Sequence, residues 1–254
     1  MIFGLAGGAS HPIQTLSDLD RYLGAIADAG FTMVTLSESH LCGDPSAAAA
    51  LLRTHGLRCS DLGAGTITRD DEAAMATADA LRPVVDVIEP VGVLAMVRTR
   101  INDESIDRIG RIAERIGAPV LLEFGTAPLP SLSAASEVVG VLGTDVAGII
   151  ADTYHFFRAG STIDMLDTVP IEHVTIVQFD DALPALSDDY MEETLHRRAW
   201  PGEGELDLSD FAGRLRRRGW DGIVSIEVFS DTARELPIEQ FAECAFATTL
   251  PYWT

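Results

Sequence analysis

Lysine is absent from this chain: all 18 basic residues among its 254 are arginine. That absence removes whole chemistries, because Schiff-base catalysis, pyridoxal-phosphate attachment and the Walker-type phosphate loop each need a primary side-chain amine. Cysteine is scarce too. Cys42, Cys59 and Cys244 are odd in number and widely spaced, with no C-x-x-C pair, so a secreted disulfide framework is not expected. Aromatic residues make up only 7%, and no apolar run approaches the ~18 residues of a membrane span. The opening MIFGLAGGAS has no basic segment before its apolar residues, so no leader is expected and a cytoplasmic location is. Positive charge is outnumbered, 39 acidic residues against 18 basic, for a formal charge of -21. Nucleic acid and anionic membranes are held by basic surface, so neither is an expected partner. What the chain has instead is a 47% hydrophobic composition, rich in Ala, Val, Ile and Leu.

Short apolar or β-branched runs alternate with amphipathic stretches along the whole length. The pattern predicts strands at 2–5, 32–36, 58–62, 84–88, 120–124, 148–152, 174–179 and 223–228. Helices are expected between them at 19–29, 46–55, 106–116, 133–142 and 208–218, several ending at Gly30, Gly56, Gly117 or Gly219. Strand ends recur near the ~30-residue length of a βα unit, and eight such units close into a barrel. The fold class expected is therefore α/β, a single (β/α)8 TIM barrel over residues 1–254. An open doubly wound sheet is the alternative, but no G-x-G-x-x-G follows the first strand. The glycines of GLAGGAS are wrongly spaced and read as an ordinary first loop. The fourth unit is the weakest, flanked by Pro83 and Pro90, and the seventh loop, Asp180 to Leu206, departs most from the repeat.

A barrel of this kind carries its chemistry where the strands end. The last residues of the second-half strands are Glu123, Asp152, Gln178 and Glu227, each after a buried-type apolar run. One such acid alone would read as a salt-bridged strand terminus. Three at one end of a barrel call for a cation, because unpaired buried carboxylates are costly. Three carboxylates and an amide carbonyl form an all-oxygen set, which suits Mn²⁺ or Mg²⁺, or Co²⁺, better than Zn²⁺. Four protein ligands would leave an octahedral ion two positions for adjacent oxygens of a hydroxy-carbonyl compound.

With these residues the chain resembles the xylose-isomerase-like TIM barrel superfamily, in its sugar phosphate isomerase/epimerase branch. The resemblance implies that Glu123, Asp152, Gln178 and Glu227 are the metal ligands. It also covers Asp152-Thr153-Tyr154-His155, similar to the family's Asp-x-x-His. Arg198-Ala199-Trp200-Pro201-Gly202-Glu203-Gly204 is similar to its Arg-x-x-Pro-Gly-x-Gly. Sugar 3-epimerases of the branch have His where Gln178 stands. Glutamine there resembles the hydroxypyruvate isomerases and 3-dehydroshikimate dehydratases. Without lysine, a two-metal xylose isomerase is excluded and a one-metal enzyme favoured.

The resemblance makes His155 a proton-transfer or substrate-binding residue, and leaves Glu123 and Glu227 as ligands that could also serve as bases. His196, Arg197 and Arg198 could be a solvated turn paired with Glu192 and Glu193, or a clamp for an anionic group of the substrate; the resemblance turns Arg198 inward for that role, and Arg158 is a second candidate. Trp200 could cover an apolar ligand face. Glu38 and His40 after the second strand, and His11 after the first, could line the pocket or be ordinary loop residues. The run Arg214–Arg218 complements a helix carboxyl terminus. The chain's end, PYWT, is expected to pack on the barrel exterior or on a partner subunit.

The expectation is a divalent-metal isomerase or epimerase of a small hydroxy-carbonyl or sugar-like substrate, removing a proton α to the carbonyl. A dehydratase of the 3-dehydroshikimate type shares that first step. A catalytically inactive ligand-binding barrel is the non-enzymatic alternative. Abasic-site endonucleases use the same barrel, but the acidic charge and oxygen-only ligand set oppose them. A homodimer or tetramer is the expected assembly.

Overall fold

In the computed structural model, residues 1–6, 11–67, 70–125 and 127–254 are described, with side chains left aside at 64–67. The glycine-rich first loop read from GLAGGAS falls largely outside them. Eight strands form a closed parallel barrel: β1 (Ile2–Ala6), β2 (Met33–Ser37), β3 (Arg58–Ile67), β4 (Gly92–Val97), β5 (Val120–Glu123), β6 (Ala147–Asp152), β7 (Val174–Phe179) and β10 (Ile223–Ile226). Two short strands, β8 (Asp181–Ala182) and β9 (Arg198–Ala199), pair antiparallel within the seventh loop. Helices fill the connections: α1 (Leu16–Ala29), α2 (Pro45–Thr54), α3 (Asp71–Ile88), α4 (Asp103–Ile116), α5 (Leu132–Leu142), α6 (Thr153–Arg158), α7 (Tyr190–His196), α8 (Leu208–Arg217) and α9 (Ile238–Trp253).

Local chemistry sets many of these boundaries. Thr15 caps α1 and Asn102 caps α4, each accepting a backbone N–H three residues on. Gly30 closes α1 at φ 104°, a left-handed turn that an L side chain rarely adopts. The fourth strand corrects the sequence reading. Residues 84–88 belong to α3, and β4 lies later, at Gly92–Val97. The buried positions Ala74, Ala78, Leu81, Val85 and Ile88 recur at helical spacing, so packing overrides the strand-like Val-Val-Asp-Val-Ile run.

The main core lies between the strands and the helices. The C-terminal residues belong to it: Trp253 packs edge-on against Phe179 and tilted against Trp220. Arginines 214 and 218 bind Asp167 and the carbonyls of Leu166 and Val169, a structural use of that basic run.

Inside the barrel, a separate apolar plug is formed by Met33, Leu121, Ile150, Ile176 and Ile223. Strand side chains alternate between faces, so the residue two places on points inward one rung higher. That arithmetic puts Thr35, Glu123, Asp152, Gln178 and Ser225 above the plug. The strand register agrees, with Asp152 opposite Gln178 and Gln178 opposite Ser225. A bulge supplies one more polar residue. Val34 pairs with Cys59 and Leu36 with Leu62, so Thr35 alone faces both Ser60 and Asp61.

Candidate metal and substrate site

The acids of β5, β6 and the end of β10 meet at the carboxyl edge of the barrel, and one arginine ties Asp152 and Glu227 to Asp180, which follows β7. Nη1 of Arg198 lies 2.7 Å from Asp152 Oδ2, 2.7 Å from Asp180 Oδ2 and 3.3 Å from Glu227 Oε2. Its side chain is 2% exposed, so these charges have no water to replace one another. Asp152 stays below the ordinary carboxylate range: burial pushes it upward, but Arg198 and His155 hold it down. Burial raises Glu123 to about 8, with Asp152 adding to the shift. Asp180 is raised to about 7 and Glu227 well above its usual value, both mainly by burial.

His155 projects from α6 beside this group. Its Nε2 faces Glu123 Oε1 at 3.6 Å and Asp152 Oδ2 at 3.8 Å. Its Nδ1 is hydrogen-bonded to the hydroxyl of Tyr190, whose ring stacks on the imidazole. Burial holds His155 below the usual histidine range and Tyr190 above the usual phenol range. The tyrosine belongs to the seventh loop, beyond the reach of any spacing rule from Asp152.

Gln178 tests whether these side chains suit a cation. Its Nε2 donates to Glu227 Oε1 at 2.9 Å, while its buried Oε1 has no hydrogen-bond partner. A buried acceptor without a donor is uncommon and costly. Here it lies on the same rung as Glu123 and Asp152, and a hard cation is a partner such an oxygen can take. The donor set fits a divalent ion. Glu123, Asp152 and His155 also bring one ligand atom each within 4.8 Å of the others. Imidazole in that position widens the range of metals the group could hold.

The site opens into a cavity of about 400 Å³, lined by Glu123, His155, Arg198 and Glu227 together with Leu94, Met96, Arg98, Phe124, Leu129, Tyr190, Met191, Thr194, Leu195 and Phe229. The other residues read from the sequence as substrate-binding are not in that lining. Arg158 binds Glu205 and the carbonyl of Leu183. His196 pairs with Asp231, and Trp200 packs on Phe241. Glu38 and His40 belong to a single 3-10 turn after β2, where His40 Nδ1 accepts from the Ser37 amide. His11 binds the carbonyl of Leu236. Arg98, Tyr190 and Asp180 were missed by the sequence reading. Alternation along β4 would have reached Arg98 had that strand been placed correctly.

Comparison with known proteins agrees with this architecture. The family description "Xylose isomerase-like TIM barrel" matches residues 14–246. The chain belongs to that family. Among curated members, the inosose isomerase of Halalkalibacterium halodurans is 28% identical over 193 residues, covering 72% of this chain and 67% of that one. A 3-dehydroshikimate dehydratase of Pseudomonas putida is 33% identical over 95 residues, covering 37% of this chain and 15% of the relative. The chain thus spans about two thirds of the first relative's length and a small part of the second's. The IolI protein, solved with a bound zinc atom, superposes with a TM-score of 0.83 over 100% of this chain and 98% of its own, at 20% identity. In this xylose isomerase-like barrel, among the described residues, no helix is long and apolar enough to cross a membrane.

Proposed function

We propose that this xylose isomerase-like barrel is a divalent-cation-dependent isomerase or epimerase. Its substrate would be a small hydroxy-carbonyl compound that loses a proton α to the carbonyl. The observation that carries the reading is the unpartnered carbonyl oxygen of Gln178 among the carboxylates of Glu123, Asp152 and Glu227. Those four residues would hold Mn²⁺ or Mg²⁺, with Co²⁺ acceptable. When bound, such a cation polarises a carbonyl and stabilises negative charge next to it.

The side chains supply the remaining functions. Burial raises both Glu123 and Glu227 above the usual carboxylate range in the metal-free site; a bound cation would favour their ionised forms, and either carboxylate could then take the proton from carbon. When the Tyr190 hydroxyl donates to Nδ1, Nε2 of His155 carries a proton toward the carboxylates and can pass it between neighbouring substrate oxygens. Arg198 keeps Asp152, Asp180 and Glu227 in place. The largely apolar lining lowers the local dielectric, which strengthens each of these interactions.

The second reading is a dehydratase, favoured by the local similarity to 3-dehydroshikimate dehydratase. It shares proton abstraction and then expels water. A panel of hydroxy-ketones and hydroxy-aldehydes in D₂O, with Mn²⁺-loaded protein, tests both. Deuterium on carbon without loss of water supports the isomerase. An aromatic ultraviolet chromophore supports the dehydratase, and neither signal across the panel defeats both. The catalytically inactive barrel then becomes the better reading.

A further inference from the structure

Two adjacent buried acids follow β7, and their carboxylates go to different partners. Asp180 joins the carboxylate cluster and accepts from Arg198. Asp181, the first residue of β8, is 1% exposed and has no ion pair among the described residues. Backbone fills its carboxylate instead. Oδ2 accepts from the amides of Gly202 at 3.1 Å and Gly204 at 3.0 Å. Oδ1 accepts from those of Leu206 at 3.0 Å and Ala182 at 2.8 Å.

The stretch that supplies these amides follows β9 directly, and its glycines permit the approach. A Cβ on Gly204 would lie 2.3 Å from Asp181 Oδ1 and 2.4 Å from the carbonyl oxygen of Ala182. Gly202 has φ 94°, in the left-handed region. The amide of Glu205 donates to the Ala182 carbonyl at 2.9 Å, so the returning chain is tied to β8 along its length.

Arg198 depends on this arrangement. β8 and β9 pair over two residues each, Asp181 with Ala199 and Ala182 with Arg198, and so short a pair is marginal by itself. Arg198, expected from the sequence to clamp a substrate anion, is turned instead onto three carboxylates of the chain. Burying a guanidinium is costly unless its geometry is fixed, and the competing state is a side chain swung out to water. We propose that Asp181 is the positioning residue for Arg198. By binding the backbone just after β9 it closes the seventh loop and fixes the strand that delivers the guanidinium to Asp152, Asp180 and Glu227. The two glycines of Arg198-Ala199-Trp200-Pro201-Gly202-Glu203-Gly204 thereby serve the arginine at the head of the run. A cluster assembled this way would serve an isomerase and a dehydratase alike, so the role does not depend on which reaction the site performs.

The arginine Nε–H resonances in ¹H–¹⁵N spectra of the full, metal-stripped chain provide the test. The chain has 18 arginines, and Arg198→Met identifies the resonance of Arg198 by its disappearance. In the wild type this Nε–H donates to the Thr194 carbonyl at 3.0 Å. It should exchange with solvent about a hundredfold or more slowly than that of an exposed arginine. Asp181→Asn replaces one acceptor oxygen with an N–H donor that faces backbone donors. Exchange at Arg198 should then speed up about tenfold or more. Gly204→Ala, which blocks the same approach without changing charge, should have the same effect. Asp210→Asn, which removes an acid of α8 paired with Arg217, should leave the resonance unchanged. A folded Asp181→Asn or Gly204→Ala protein in which the Arg198 resonance and its exchange are unchanged would overturn the proposal, however much stability it had lost. If neither variant folds, exchange in the wild type decides. The amides of Gly202, Gly204 and Leu206 should open at the rate of the Arg198 Nε–H, within about threefold. Amides that exchange about tenfold faster while the Nε–H stays protected would mean that the loop opens without releasing the arginine, which overturns the proposal as well.

Discussion

Gln178 gives its amide nitrogen to Oε1 of Glu227 at 2.9 Å and keeps its carbonyl oxygen, fully buried, without a partner. The arrangement orients the amide so that oxygen rather than nitrogen is the free end. Mn²⁺ added to metal-stripped protein should therefore raise the melting temperature in a saturable way. Gln178→Ala should weaken the ion by tenfold or more, about 1.4 kcal/mol. Glu227→Gln should weaken it as well. Calorimetric titration of the three proteins is the check, and unchanged affinity in Gln178→Ala would remove that residue from the ligand set.

Arg198 is the one arginine found against Asp152, Asp180 and Glu227 among the described side chains, and it touches all three. Removing one partner of a buried ion pair leaves uncompensated charge, which costs about 3–5 kcal/mol. Urea unfolding of metal-free Arg198→Met near neutral pH should show a loss of that size. The loss should shrink in acid, where the carboxyls are protonated and no longer need the guanidinium. A stability equal to the wild type's at neutral pH would mean that the arginine does not hold the cluster together.

Asp61 stands apart from the cluster, on the bulge of β3. Oδ1 accepts from the hydroxyls of Thr35 at 2.7 Å and Ser60 at 2.8 Å, while Oδ2 is buried without a partner. Burial raises its carboxyl above the ordinary range despite those two donors. In the unfolded chain it ionises at about pH 4. Above that pH the folded protein still holds a proton that the unfolded chain has released, so this group's contribution to stability falls as pH rises. Asp61→Asn has no proton to hold. Its stability should gain on the wild type's from about pH 4 toward about pH 7. Urea melts at several pH values measure the difference between the two proteins, and a flat difference would mean that Asp61 is ionised in the fold.

Tyr190 positions the imidazole of His155 through Nδ1. With a substrate in hand from the D₂O panel, Tyr190→Phe should lower kcat about tenfold or more with little change in KM. His155→Asn should cost about a hundredfold or more, the usual scale for a lost acid–base group. Mn²⁺ affinity measured alongside decides whether the imidazole is also a ligand: a large drop in His155→Asn would place it in the coordination set.

The barrel was legible because periodicity is a property of the chain itself. Seven of the eight strands lie where apolar runs and glycine stops place them, and Glu123, Asp152, Gln178 and Glu227 lie at the strand ends the pattern marked. The fourth strand was not legible, because β-branched Val84, Val85 and Val87 look extended locally while α3 buries Leu81, Val85 and Ile88 on one helical face. That error hid Met96 and Arg98. The seventh loop was hidden for another reason. Arg198 turns inward through β9, and Tyr190 reaches His155 from α7, 35 residues away, relationships that only tertiary packing creates. Asp61 shows the same limit: alternation cannot foresee a bulge that places two residues opposite one.

The apolar plug of Met33, Leu121, Ile150, Ile176 and Ile223 has a consequence for traffic. It stoppers the barrel from below, so among the described residues the cavity opens on the carboxyl edge of the strands, where the end of β4 and α7 line it. Whatever enters must leave by the same route, and a product that lingers there shuts out the next substrate. Met96, Met191 and Leu195, large apolar side chains of that lining left exposed, are what a molecule entering it would meet.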